Sequence, residues 1–208
     1  MSLVVHHLED SRSQRVLWIL EELGLPYEIK HYKRHPRTML APPELKRIHP
    51  LGKAPTVTHD DRVLVETGAV LEYLVDLADG RFGPPTEGDR QRWRQFMHYA
   101  EGSLMPPLLT ILVINKLGPL GWPARKPLQA LFAPHLRFLN DELAQRDWIA
   151  GDAISAADVM LSFPMEAAGT RTDMSGYPHI AAWLARIHAR PAYQRALEKG
   201  GPYAYVKP

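Results

Sequence analysis

The 208-residue sequence contains no cysteine, and that absence removes two classes of chemistry. No disulfide framework can staple the chain, and no thiol of its own can act as nucleophile or redox group, which excludes a thiol–disulfide oxidoreductase. An excess of charge of one sign is also lacking: 25 Lys and Arg stand against 23 Asp and Glu, a formal net charge of +2. Such a balance leaves no electrostatic footprint for nucleic acid. No apolar stretch reaches the roughly 20 residues that span a bilayer. Residues 3–8 form a short apolar run broken by His6 and His7 and followed by Glu9-Asp10, unlike a secretory leader. A cytoplasmic protein with no membrane and no nucleic-acid partner is expected. A Gly-rich phosphate loop, a nucleophile elbow and a zinc-ligand helix are missing as well.

What is present is ordinary for a globular chain, with 45% hydrophobic and 23% charged residues. The length allows one large domain or two small ones, each with a real core. Residues 2–8 read as a buried strand. Val16, Leu17, Ile19, Leu20 and Leu23 then repeat at helical spacing until Gly24 ends the run, and residues 27–31 read as a second strand. A strand, a helix and a strand within about 30 residues form the βαβ signature of a parallel pair. Residues 56–59 and 62–65, separated by Asp60-Asp61, read as a hairpin, and residues 68–77 as a helix.

Residues 80–88 are rich in glycine and proline, and nothing after them reads as a strand. They mark a linker between domains at 1–79 and 89–208. Helices are expected over 90–117, 127–144, 156–168, 180–189 and 192–198, with Pro106-Pro107 kinking or breaking the first. Ser155-Ala156-Ala157-Asp158 reads as a capping box, a folding device that requires no ligand.

The chemistry concentrates in Pro50-Leu51-Gly52-Lys53-Ala54-Pro55-Thr56-Val57 and, about ten residues on, Glu66-Thr67 at the head of an apolar helix. A proline ahead of a β-branched run starts a strand without donating to its ladder. If the Ala54-Pro55 bond is cis, Ala54 offers its N–H and C=O to a ligand; a trans proline opening an edge strand is the alternative. Lys53 supplies a cation, and Glu66 and Thr67 supply an acceptor and a hydroxyl beside a helix N-terminus that attracts carboxylate. Together they suit a small peptide. The basic stretch 30–37 is either a solvated loop or a local anion contact. His6 and His7 point to opposite faces of a strand, and His31 and His35 lack a third ligand, so no metal is expected.

This order of elements resembles the cytosolic glutathione S-transferase family across nearly the whole chain. The resemblance is carried by Ser11-Arg12-Ser13-Gln14-Arg15-Val16, Gly52-Lys53-Ala54-Pro55-Thr56, Glu66-Thr67-Gly68-Ala69, and Ile149-Ala150-Gly151-Asp152 running into Ser155-Ala156-Ala157-Asp158. It is similar to the bacterial and fungal branches and to the serine-type theta class. It implies an α/β thioredoxin-like N-terminal domain followed by an all-α C-terminal domain, a cis Pro55, and a homodimer. The implied activity is that of a detoxifying transferase, which activates the thiolate of glutathione, its co-substrate, against hydrophobic electrophiles or hydroperoxides. A non-catalytic glutathione-binding scaffold of the same fold is the rival. A maleylacetoacetate-type isomerase is disfavoured, since its Ser-Ser-Cys segment is missing.

Carried over by position, Ala54 pairs its backbone with the cysteinyl part of glutathione, a minimal strand addition. Glu66 takes the γ-glutamyl ammonium, Thr67 the neighbouring carboxylate, and Lys53 the glycyl carboxylate. Ser11 aligns with the serine whose hydroxyl points at the sulfur, with Ser13 and Arg15 as further donors. Ser11 with Gln14 three residues on is also a capping box, and Arg15 could instead serve a salt bridge in the core. The family's second substrate lies against the region holding Tyr99, Ser103, Met105, Pro106, Leu109 and Asn115. Thr67 stands where the family more often has serine, and His49 where it often has asparagine.

Overall fold

The computed structural model of the chain describes residues 2–206. It divides into two compact units, one of residues 1–82 with 189–208 and one of residues 83–188. In the first unit, β1 (Leu3–Leu8) leads through a tight turn into α1 (Ser13–Leu23), which Gly24 terminates in the left-handed conformation at φ 65°. β2 (Glu28–Tyr32), β3 (Thr56–His59), β4 (Arg62–Val65) and α2 (Thr67–Leu77) follow. The sheet order is β2-β1-β3-β4, with β1 parallel to β2 and both other pairings antiparallel. The βαβ unit and the hairpin thus lie where the apolar periodicity placed them.

The register places the chemistry at one end of the sheet. His6 pairs with Thr56, and Thr56 pairs with Val65. The exit of β1, the entry to β3 and the exit of β4 are therefore neighbours, although β1 and β3 lie some 50 residues apart in the chain. Val5, Leu17, Trp18, Leu20, Val57, Val70 and Leu74 are fully buried between the sheet and its helices. α8 (Pro191–Gly200) packs on α1, with Tyr193 edge-on to Trp18 at 5.3 Å between ring centroids. Glu21 and Glu22 of α1 accept ion-paired hydrogen bonds from Arg190, Arg195 and Lys199. Residues 189–208 thus group with the first unit rather than with the helices that precede them. Helical periodicity alone reports a buried face and not the partner that buries it.

The second unit is helical: α3 (Arg90–Tyr99), α4 (Met105–Lys116), α5 (Trp122–Ala144), α6 (Ala156–Gly169) and α7 (Pro178–His188). The helix over 90–117 is interrupted, as Pro106-Pro107 imply: a wide π turn at Ala100–Leu104 divides it, and the two prolines sit in the first turn of α4. Prolines lack the N–H that would return to the carbonyls four residues back, so the regular ladder cannot run through this point. α5 begins five residues before Pro127, which it carries inside. Asp158 Oδ2 accepts the N–H of Ser155 at 3.0 Å, and its Oδ1 accepts the Ile149 N–H at 2.9 Å and the Trp183 indole at 3.0 Å. Burial raises this carboxyl above the usual range, and its donors oppose that. The capping box forms. No helix among the described residues is long and apolar enough to cross a membrane.

Candidate functional site

The Ala54–Pro55 peptide is cis. Pro55 is buried, and Ala54 packs against the small cluster of Leu8, Tyr32 and Leu45, so the segment is anchored from below. Among the described residues the Ala54 backbone has no hydrogen-bonding partner. The Thr56 hydroxyl donates to the Lys53 carbonyl at 2.8 Å and fixes the turn. Gly52 adopts φ +56°, and a Cβ there would stand 2.6 Å from Lys46 Cγ. A side chain at that position would thus be both strained and obstructed.

Across the register, Glu66 caps α2 at φ 67° and ψ 120°, an unusual backbone for a residue with a side chain. Its own side chain makes no capping hydrogen bond. The first N–H groups of α2 thus lack a side-chain cap and carry the positive partial charge of a helix N-terminus. Lys53 and Glu66 are exposed, and among the described residues neither side chain has an ion-pair partner. Thr67 is 3% exposed and accepts a hydrogen bond from Arg15 Nη2 at 3.2 Å. Arg15 is thus placed inside the fold, holding the hydroxyl at the head of α2.

At the exit of β1, Ser11 is 5% exposed. Its hydroxyl accepts the N–H of Ser13 at 3.2 Å and lies 2.7 Å from the Ser13 hydroxyl. The Ser11–Gln14 capping box does not form. Arg12 occupies the cap position without a side-chain bond, and the buried Gln14 amide makes no hydrogen bond. The short Ser11-to-Ser13 turn takes up the hydroxyl first, and Gln14 is turned toward Gly200 of α8. Ser13 is fully buried, with its Oγ 2.9 Å from His7 Nδ1 and accepting the Leu8 N–H at 3.2 Å. His7 was singled out in the sequence only as unable to chelate with His6. Its part in this cluster depends on the turn that folds α1 back over β1.

Burial holds His7 well below the usual histidine range, at about 4, with the neighbouring His31 acting in the same direction. Asp10 and a hydrogen bond with the Gly200 backbone oppose this. His6, on the other face, meets the Tyr32 hydroxyl at 3.0 Å. No group of three or more His, Asp or Glu able to hold a metal occurs among the described residues. In the basic stretch, Arg34 donates to the carbonyls of Glu9, Asp10 and Met39, which ties the loop down.

The residues expected at the second substrate all lie in the helical unit. The Tyr99 hydroxyl is 2.6 Å from His135 Nδ1. Burial raises Tyr99 to about 12 and lowers His135. Ser103 is half-buried in the π turn, and Met105 is 4% exposed. Asn115 donates to the Arg171 carbonyl at 3.4 Å and lines a shallow depression with Ile111, Ile114 and Leu128.

A small mixed sheet with a cis proline at its entry, carrying helices and followed by a helical unit, defines a thioredoxin-like fold of the two-domain type. Residues 11–77 match the family described as "Glutathione S-transferase, N-terminal domain", and residues 123–186 match "Glutathione S-transferase, C-terminal domain". Glutathione S-transferase 3 of Schizosaccharomyces pombe is 33% identical, over 95% of this chain and 87% of its own length. The crystal structure of a glutathione S-transferase from Actinobacillus pleuropneumoniae superposes with a TM-score of 0.88 at 33% identity, covering 98% of this chain and 95% of that one. A sphingomonad glutathione S-transferase complexed with glutathione gives a TM-score of 0.78 at 26% identity, over 97% and 99% of the two chains. The chain belongs to the glutathione S-transferase family.

Proposed function

We propose that this protein binds glutathione at the sheet end described above, ionises its thiol and directs the thiolate at the electrophilic carbon of a small hydrophobic molecule or at a hydroperoxide oxygen. The observation that carries the reading is the convergence, through the His6–Thr56–Val65 register, of the Ser11 turn, the cis Ala54–Pro55 segment and Glu66–Thr67. Glutathione presents two carboxylates, one ammonium and a peptide edge. Thr67 with the α2 N-terminus, Lys53, Glu66 and the Ala54 backbone supply one complement for each.

Ser11 is the group at the sulfur in this reading, while Ser13 and Arg15 support it and Thr67 from inside. Lowering a thiol pKa from about 8.5 to about 6.5 requires about 2.7 kcal/mol in favour of the thiolate. A helix N-terminus contributes about 0.3 to 1 kcal/mol. A hydrogen bond to a charged group contributes about 1.5 to 3 kcal/mol, so the hydroxyl is the larger of the two. Catalysis beyond ionisation is proximity. The electrophile lies against Tyr99, Ser103, Met105 and Asn115, and the protein works as a cytoplasmic homodimer.

The test is calorimetric titration with glutathione, followed by turnover assays with aryl halides, enones and hydroperoxides. Micromolar to millimolar binding with turnover supports the reading. Binding without turnover on any of the three substrate types would transfer the protein to the scaffold class.

A further inference from the structure

Three side chains stand in line behind the proposed sulfur contact: His7 Nδ1 lies 2.9 Å from Ser13 Oγ, and Ser13 Oγ lies 2.7 Å from Ser11 Oγ. They are 3%, 0% and 5% exposed, so the row is largely shielded from solvent. We propose that His7 is a positioning residue, which through Ser13 holds the proton of the Ser11 hydroxyl and so sets how far that proton is available to the sulfur of bound glutathione. The inference rests on the reading of Ser11 as the sulfur contact.

A hydroxyl has one proton to give and two lone pairs to offer. One lone pair of Ser13 is taken by the Leu8 N–H at 3.2 Å, and its proton also faces the Leu8 carbonyl at 3.3 Å, a longer contact than the 2.9 Å to His7. One lone pair of Ser11 is taken by the Ser13 N–H at 3.2 Å. Two short contacts remain, and each needs a single proton between its heavy atoms. Around the imidazole stand His31 from β2, Asp10 from the turn, Ser13 from α1 and the Gly200 backbone at the end of α8. Burial and His31 keep the ring neutral above about pH 4, so it carries one N–H.

In the proposed arrangement that N–H sits on the ring nitrogen away from Ser13, toward the Gly200 backbone, so that Nδ1 is the bare nitrogen at 2.9 Å from Ser13 Oγ. A bare nitrogen and a hydroxyl can be joined only by the hydroxyl's proton, so Ser13 donates to His7. The Ser13–Ser11 contact can then be filled only by the proton of Ser11. In the resting protein the Ser11 hydroxyl is therefore turned inward and shows an incoming thiol a lone pair. Donation to a thiolate competes directly with donation to Ser13. Removing the ring nitrogen leaves the Ser13 proton a choice between the Leu8 carbonyl at 3.3 Å and Ser11 at 2.7 Å, and the shorter contact frees Ser11 to give its own proton to sulfur.

The test is a pH titration of the thiolate absorbance of bound glutathione in the wild type, His7→Phe, Ser13→Ala, Ser11→Ala and the His7→Phe/Ser11→Ala double variant. A fold defect alone does not lower the pKa of a bound thiol. His7→Phe is expected to lower it by about half a unit or more, a part of what one charged hydrogen bond supplies. Ser13→Ala, which also removes the inner acceptor, shifts it in the same direction and decides the matter if His7→Phe does not fold. The double variant should match Ser11→Ala alone. An unchanged or raised pKa in His7→Phe and Ser13→Ala, with Ser11→Ala raised, overturns the inference and leaves the Ser11 reading standing. The same holds for an additive double variant. An unchanged pKa in Ser11→Ala overturns both.

Discussion

The Arg15 guanidinium donates to the Thr67 hydroxyl at 3.2 Å, joining two buried side chains 52 residues apart at the heads of α1 and α2. The bond aims the hydroxyl and adds positive charge behind the place assigned to the γ-glutamyl carboxylate. Thr67→Val, close in shape but without the hydroxyl, should raise the KM for glutathione roughly tenfold, the value of a hydrogen bond to a charged group. Its kcat should change far less, because the contact is made equally in the ground and transition states. Thr67→Ser should restore most of the affinity. Steady-state kinetics at varied glutathione checks all three.

Glu66 keeps φ 67° without a glycine's freedom, and such positions cost about 1 to 3 kcal/mol. Glu66→Gly should therefore raise the melting temperature while weakening glutathione binding, since the ammonium loses its acceptor. Opposite signs in thermal melts and calorimetric titration are the expected pair. A variant that loses stability would show that the strained backbone is not a cost of the binding site.

Burial pushes the Glu21 carboxyl up, and hydrogen bonds from Lys199, Tyr27 and Arg195 together outweigh it and bring the carboxyl down to about 2. A depressed carboxyl stabilises the fold above its unfolded value near 4.5, and this contribution is lost as pH falls from there toward 2. Denaturation followed from pH 6 to about 2 should show a stability slope in that window. Glu21→Gln should flatten the slope and lower stability at neutral pH, because it loosens α8 from α1. His7 titrates in a different window. Its lowered pKa means that protonation opposes folding, so its part of the stability falls between pH 6.5 and about 4.

Gly121 opens α5 where the chain passes close to α4, and a Cβ there would stand 2.1 Å from the Ile114 carbonyl oxygen. A backbone atom cannot step aside as a flexible side chain can. Gly121→Ala should cost about 2 kcal/mol or more by overpacking. Gly102, in the π turn, has open space around its Cβ position, and Gly102→Ala should be neutral or slightly stabilising. Chemical denaturation of the two variants gives the contrast.

Much of the first unit was legible because its signals are local. The periodicity of α1 ends at Gly24, the Asp60-Asp61 hairpin lies between two β-branched runs, and Lys53-Ala54-Pro55 precedes a strand. The misreadings share one cause. Ser11 and Gln14 have capping-box spacing, yet Gln14 turns toward α8, which no local rule foresees. Pro106-Pro107 signal the break in the helix over 90–117, but not that it takes the form of a π turn a few residues upstream, at Ala100–Leu104. Helix 192–198 was found, but not the unit it joins.

The sequence by itself determined the order of elements, the chemistry of the segments that meet at the sheet end, and the impossibility of a protein thiol. These follow from spacing and residue type, which act over a few residues. The tertiary structure decided that Arg15 serves Thr67, that α8 closes over α1, and that His7 stands behind Ser13 and Ser11. Those relationships depend on which buried polar groups face one another once the apolar faces have packed. A desolvated polar atom is strongly driven to find a partner, but the chain sequence does not say which one will be within reach.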